Sequence, residues 1–230
     1  MSVARYALYF APGAGHPLWT AGCAWLGRDA ESGAATGGGS HRADPRRYGL
    51  HATLKPPFAL RDGATRSQLL AALSHFADEN APFDMPPLAV ATLAGFIALR
   101  PAANDATALG QPLRSLADNC VRLFDDFRAR PSAAELARRL VPEFDAGQRG
   151  NVARWGYPHV FDRWRFHITL SDSLPATPEG ERAGAELLAA ATRHFAAALA
   201  QPLRCDGVAL FVEDAPGADF RLDRRFDFAR

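Results

Sequence analysis

Lysine is almost missing from this chain of 230 residues: all but one of its 26 basic residues are arginine, and the exception is Lys55. Net charge is scarce too, at +1. Proteins that grip the phosphate backbone of nucleic acids ordinarily carry a strongly basic domain or stripe, so this composition offers no general attraction for DNA or RNA. A small anionic ligand suits the balance better. Cysteine is limited to Cys23, Cys120 and Cys205. An odd, widely spaced set assembles neither a disulfide framework nor a CxxC zinc or redox motif, which points to a reducing compartment. Long apolar runs are lacking as well. Residues 183–200 come nearest, but Glu186, Arg193 and His194 interrupt them, and an amphipathic helix accounts for the pattern. Met1–Pro12 carries Arg5 and Tyr6 inside its short apolar run and has no signal-peptide architecture, so a cytoplasmic protein without a membrane partner is expected.

What is present is a regular alternation of strand and helix signals. Arg5–Phe10 is aromatic-rich and reads as a first strand. A long connection follows, and about 28–47, with Ser32–Ser40 built mostly of Gly, Ala, Ser and Thr, is expected to be a mobile loop. Tyr48–Leu60 reads as a second strand, ended by Pro56 and Pro57, which lack the backbone donor a ladder needs. Over Arg66–Glu79, Leu69, Leu70, Leu73 and Phe76 recur at helical steps. A strand pair over Leu88–Arg100 comes next, then a helix over Leu113–Arg128 and a third helix opened by the capping-box pattern Ser132–Glu135. Arg165–Ser171 is strand-like again. Thr177, Pro178 and Glu179 start a long helix to Ala200, and strands over Leu203–Glu213 and Phe220–Phe228 close the chain. This order predicts an α+β protein in which the second part approximately repeats the first, as two similar lobes within one domain. A helical segment at about 113–160 is inserted.

Two short segments carry the chemistry. Residues 51–55 read His-Ala-Thr-Leu-Lys and residues 167–171 read His-Ile-Thr-Leu-Ser. Side chains alternate along a strand, so His51, Thr53 and Lys55 share one face, and His167, Thr169 and Ser171 share another. Either copy alone is the ordinary pattern of a half-exposed strand. Two copies in matching structural positions would bring both histidines to a common cleft. Opposed imidazoles form a complete acid–base pair for a phosphodiester: one neutral ring takes a proton from the attacking hydroxyl while the other, protonated, supplies the leaving oxygen. Threonine hydroxyls and Lys55 are placed to donate to the phosphate oxygens. A zinc site built from His51, His167, His159 and Asp162 is disfavoured, because metal ligands usually come closely spaced from one element.

The same residues resemble the 2H phosphoesterase superfamily, which includes the 2′,5′-RNA ligase-like cyclic phosphodiesterases and is marked by two His-x-Thr/Ser motifs. The wider segments Asp44–Phe58, Arg154-Trp-Gly-Tyr-Pro-His-Val160 and Phe166–Leu170 are similar to its phosphonate-metabolism-associated members. This resemblance implies two pseudo-symmetric lobes with antiparallel sheets forming a central groove and helices on the outside. It also implies catalytic roles for His51 and His167, with Thr53 and Thr169 on the phosphate and no cofactor.

Around that centre, Lys55, Ser171, Arg46, Arg47, Tyr157 and Tyr6 are candidate phosphate or groove residues, with His159 at the rim. Trp155 and Trp164 read as packing anchors. The expected ligand is a small phosphorylated metabolite bound by a monomer. An RNA-end or oligonucleotide cyclic phosphodiesterase, drawing on Arg46, Arg47, Arg154 and Arg165, remains open, as does a non-catalytic sensor of a phosphorylated or phosphonate metabolite.

Overall fold

The structure is a computed structural model that describes residues 4–102 and 110–229. In chain order the elements are β1 (Arg5–Phe10), α1 (Pro17–Leu26), α2 (Ala43–Tyr48), β2 (Ala52–Ala59), α3 (Arg66–Asp78), β3 (Phe83–Asp84), β4 (Leu88–Leu93) and β5 (Phe96–Pro101). There follow α4 (Gly110–Leu123), α5 (Ala133–Arg139), α6 (Ala146–Trp155), β6 (Ile168–Thr169), α7 (Pro178–Leu199), β7 (Arg204–Cys205), β8 (Gly207–Glu213) and β9 (Arg221–Asp227). Seven strands form one sheet in the order β4-β5-β6-β2-β1-β8-β9, while β3 and β7 pair separately. Among the described residues every strand pairing is antiparallel. The protein is therefore α+β, with its two groups of strands joined where β2 meets β6 at a single partner pair, Ala52 and Ile168.

One face of the sheet carries Leu8, Phe10, Ala52, Leu99 and Ile168, all buried. Helices cover it: α4 lies on β2, α7 on β4 and β5, and α3 on β9, with α1 packed on α7. The helices start where their caps dictate. Thr65 and Gln68 bond reciprocally at the head of α3, and Thr177 accepts from the Gly180 amide before Pro178 opens α7. Ser132 caps α5, but the Glu135 side chain turns to Arg139 instead of closing the box.

Three local expectations change. Residues 17–26 are helical where a loop was expected. His16 as N-cap, Pro17 in the first turn and left-handed Gly27 at the end define this helix, whose faces are apolar nearly all round and so show no amphipathic period. The stretch 28–47 ends in α2, so Tyr48 is helical and β2 begins only at Ala52. Arg42 lies over the Trp25 ring at 3.5 Å, and buried Arg28 donates to the carbonyls of Arg46, Arg47 and Phe220, contacts that hold the two ends of the segment. The strand at Arg165–Ser171 is ladder-paired only over Ile168–Thr169. Substitutes finish it: the Ser171 hydroxyl accepts from the Ile97 amide at 2.9 Å, and the Trp164 indole donates to the Thr53 carbonyl at 2.8 Å. Among the described residues no helix is long and apolar enough to cross a membrane.

Candidate active site

The Ala52–Ile168 pairing fixes the site. Those two side chains point into the helical layer, so their neighbours project from the opposite face. His51 then stands across from Thr169, and Thr53 across from His167, an approximately twofold arrangement. Each histidine is held in the same way: Nδ1 of His51 lies 2.9 Å from the Gly49 carbonyl, and Nδ1 of His167 lies 2.8 Å from the Arg165 carbonyl, two residues upstream in both cases. A carbonyl only accepts, so each Nδ1 carries the proton and each neutral ring keeps its lone pair at Nε2. At His51 that nitrogen is 3.4 Å from the Thr53 hydroxyl. Gly49 presents its carbonyl from a left-handed turn with φ of 77°. A side chain there would also strike Ala30, 2.5 Å from the Cβ position.

The surroundings of the two rings differ. His51 stacks on Tyr9 with centroids 3.8 Å apart, and Tyr48 and Phe211 complete an aromatic wall. Burial in this wall lowers its pKa to about 4; the Gly49 carbonyl opposes the shift, and the nearby His167 adds to it. His167 faces Phe96 and lines a cavity of about 290 Å³ with Thr53, Tyr157, His159, Arg163 and Arg165. Its pKa is lowered too, chiefly by burial, with the Arg165 carbonyl opposing and the Arg100 charge contributing. Arg100 belongs to β5, where Leu99 pairs with Ile168, so Arg100 stands beside His167 on the same face. Among the described residues no group of three or more His, Cys, Asp or Glu side chains is arranged to hold a metal ion.

The remaining candidates divide. Tyr157 lines the cavity, as does His159, and burial raises the Tyr157 pKa. Lys55 does not reach it. β1 pairs with β2 as Tyr9 to Thr53 and then Leu8 to Lys55, which makes Leu54 a bulge residue and turns Lys55 towards the helices. There its ammonium is 3.2 Å from Asp125 and 3.3 Å from the Val121 carbonyl. Ser171 is spent on Ile97 and on the Asp172 carbonyl, with 1% of its surface exposed. Tyr6 sits on the right strand but the wrong face, against Phe58; the β1 tyrosine at the site is Tyr9, whose partner is Thr53. Arg46 and Arg47 leave the cavity lining to others. Arg46 reaches Asp219 at 3.5 Å, and Arg47 grips the buried carboxylate of Glu213 and the Ala218 carbonyl, bracing α2 behind His51.

Residues 53–221 match the family described as "Protein of unknown function (DUF1045)", and the chain belongs to that family. Its curated relatives include two proteins named ribose 1,5-bisphosphate phosphokinase PhnN. That of Laribacter hongkongensis (strain HLHK9) is 39% identical over 228 residues, 96% of this chain and 51% of the relative. That of Janthinobacterium sp. (strain Marseille) is 36% identical over 247 residues, 99% of this chain and 51% of the relative. The chain thus spans about half the length of the curated relatives it matches. Among solved structures, Usb1 of Kluyveromyces marxianus aligns over 96% of this chain and 98% of its own at 11% identity and a TM-score of 0.38, a likeness too distant to bear on function.

Proposed function

We propose that the protein is a phosphoesterase of the 2H type that opens a small cyclic phosphodiester, or cleaves a small phosphate ester, by paired histidine acid–base catalysis without a metal. The observation that carries this reading is the shared face of His51, Thr53, His167 and Thr169, with both Nδ1 atoms tied to upstream carbonyls. The unequal surroundings favour one division of roles. His51, with its pKa near 4, is unprotonated at neutral pH and takes the proton of the attacking water as its oxygen bonds to phosphorus. His167, on the wall of the open cavity and beside the incoming phosphate's negative charge, gives a proton to the oxygen that leaves as the ester P–O bond breaks. Thr53 and Thr169 donate to the non-bridging oxygens, and Arg100 adds positive charge nearby.

The relatives lend support to the substrate reading. Their printed name concerns a ribose bisphosphate, and opening a cyclic phosphodiester on a ribose phosphate leaves a ribose carrying phosphate monoesters, a compound of that class. A role in phosphonate metabolism is what the resemblance of the wider motif segments supports, and a cytoplasmic setting fits the three buried, unpaired cysteines. Assay of a panel of cyclic ribose phosphates in EDTA tests the proposal. Turnover that disappears in His51→Ala and His167→Ala while binding persists supports it. Tight binding without turnover on any member makes the protein a sensor, and loss in EDTA restored by zinc makes it a metalloenzyme.

A further inference from the structure

On the other side of the Trp155–Tyr157 turn from the histidine cavity lies a smaller cleft of about 130 Å³, lined by Lys55, Arg128, Arg130, Arg139 and Gly156, with Glu135 as an acidic side chain in its wall. Behind it Asp125 faces three cations: Lys55 Nζ at 3.2 Å, Arg128 Nε at 2.7 Å and Arg130 Nη1 at 3.2 Å. A single carboxylate offsets one of those charges, and Lys55, Arg128 and Asp125 are all buried. Buried charge left without a counter-charge is costly, so the cluster favours a further anion.

A specific donor points the same way. Nη1 of Arg128 is buried with no hydrogen-bond partner among the described residues, on a side chain only 6% exposed. A Cβ at Gly156 would stand 3.1 Å from that atom and 3.5 Å from Nη1 of Arg139. The missing side chain leaves a notch between the two guanidinium groups, and the φ of 77° at Gly156, which caps α6, is one that glycine adopts without strain. Buried donors are nearly always satisfied, and guanidinium groups meet oxyanions in strong, charge-assisted geometry.

We propose that this cleft is a second anion site, taking an oxyanion of the phosphate class, free or as the monoester of a small metabolite, between Arg128, Arg139 and Arg130. At roughly 30 Å³ per water-sized volume, the cleft has room for a phosphate group and little more. Entry displaces the long contact from Arg139 Nη1 to the Gly156 carbonyl, 3.3 Å, while Arg139 Nη2 keeps its ion pair with Glu135. Arg130, whose Nη1 donates to the Arg154 carbonyl at 2.7 Å, turns onto the ligand with Arg139, the two side chains being exposed at 62% and 42%. Gly156 lines this cleft and Tyr157 lines the histidine cavity, so one peptide unit links the two.

Calorimetric titration of inorganic phosphate into the double variant His51→Ala/His167→Ala reads this site apart from the histidine cavity. The expected result is one bound phosphate per chain, with affinity weakened about tenfold or more by adding Arg130→Ala or Arg139→Ala, the factor that one charge-assisted contact represents. Both added changes are at exposed side chains, and circular dichroism verifies the fold. A parallel titration with glycerol phosphate identifies the ligand: tighter binding than inorganic phosphate assigns the site to a metabolite, and equal binding assigns it to free phosphate. Absence of binding to the double variant, or binding that the arginine changes leave untouched, overturns the proposal.

Discussion

Replacing Lys55 by methionine separates a structural lysine from a substrate-binding one. Burial lowers the Lys55 pKa from 10.5 to about 8, and the Asp125 carboxylate offsets only part of that shift. Because the folded-state value is the lower one, the unfolded chain holds more protons between about pH 8 and 10.5, and the unfolding free energy rises with pH across that window. At about 1.4 kcal/mol per unit, the rise attributable to this group is about 3 kcal/mol. Below pH 8 the same amount stands as a cost of keeping the ammonium charged, which an uncharged methionine of similar length avoids. Asp125 retains Arg128 at 2.7 Å in the variant. Lys55→Met is therefore expected to be more stable than wild type at pH 7 by up to about 3 kcal/mol, with the gap closing towards pH 10.5. Urea unfolding followed by circular dichroism at several pH values measures the gap, and the subtraction cancels Cys23 and Cys205, whose thiols burial pushes up to about 12 in both proteins. On a cyclic phosphate the variant keeps wild-type kcat/KM. A gap that ignores pH, or a variant that unfolds more readily at pH 7, refutes the burial argument. A loss of about 100-fold in kcat/KM at unchanged stability would put the lysine on the substrate after all.

Other outcomes follow from the same geometry. His51→Ala and His167→Ala should each lower kcat by about 100-fold or more, as expected when a general acid or base is removed, with far-ultraviolet dichroism unchanged. The pH profile of kcat/KM should be bell-shaped with its maximum on the acid side of 6.5, because His51 must be unprotonated above about 4 and His167 protonated below a value that burial lowers; a plateau extending through pH 8 contradicts that assignment. Tyr9→Leu removes the ring stacked on His51 and admits water, so the acid limb should move upward from about 4 towards the ordinary histidine value. Asp125→Ala strips Lys55, Arg128 and Arg130 of their shared carboxylate and should cost about 3–5 kcal/mol in chemical unfolding.

The sequence makes the two histidines of the candidate site legible and their surroundings much less so. Both His-x-Thr segments fall beside the β2–β6 junction, because period-two alternation is a local property that Ala52 and Ile168 obey. Lys55 fails the same rule because of the bulge at Leu54, which depends on how β1 pairs with β2 and leaves no mark in the alternation. Register likewise decides between Tyr6 and Tyr9, three residues apart and therefore on opposite faces, and puts Arg100 beside His167. Ser171 lies past the end of β6, where the chain bends and its hydroxyl replaces a missing ladder acceptor. The missed helix α1 was signalled at its ends, by His16, Pro17 and Gly27, and hidden in the middle by being apolar on nearly every side.

The most direct test is a crystal structure with vanadate or phosphate bound between the two histidine rings, beside the cavity that His167 lines. The account predicts one anion there with Nε2 of His51 and Nε2 of His167 both within about 2.6–3.2 Å of its oxygens, and the hydroxyls of Thr53 and Thr169 donating to it. An anion held by one ring alone, or rings too far apart to share a phosphorus atom, contradicts it.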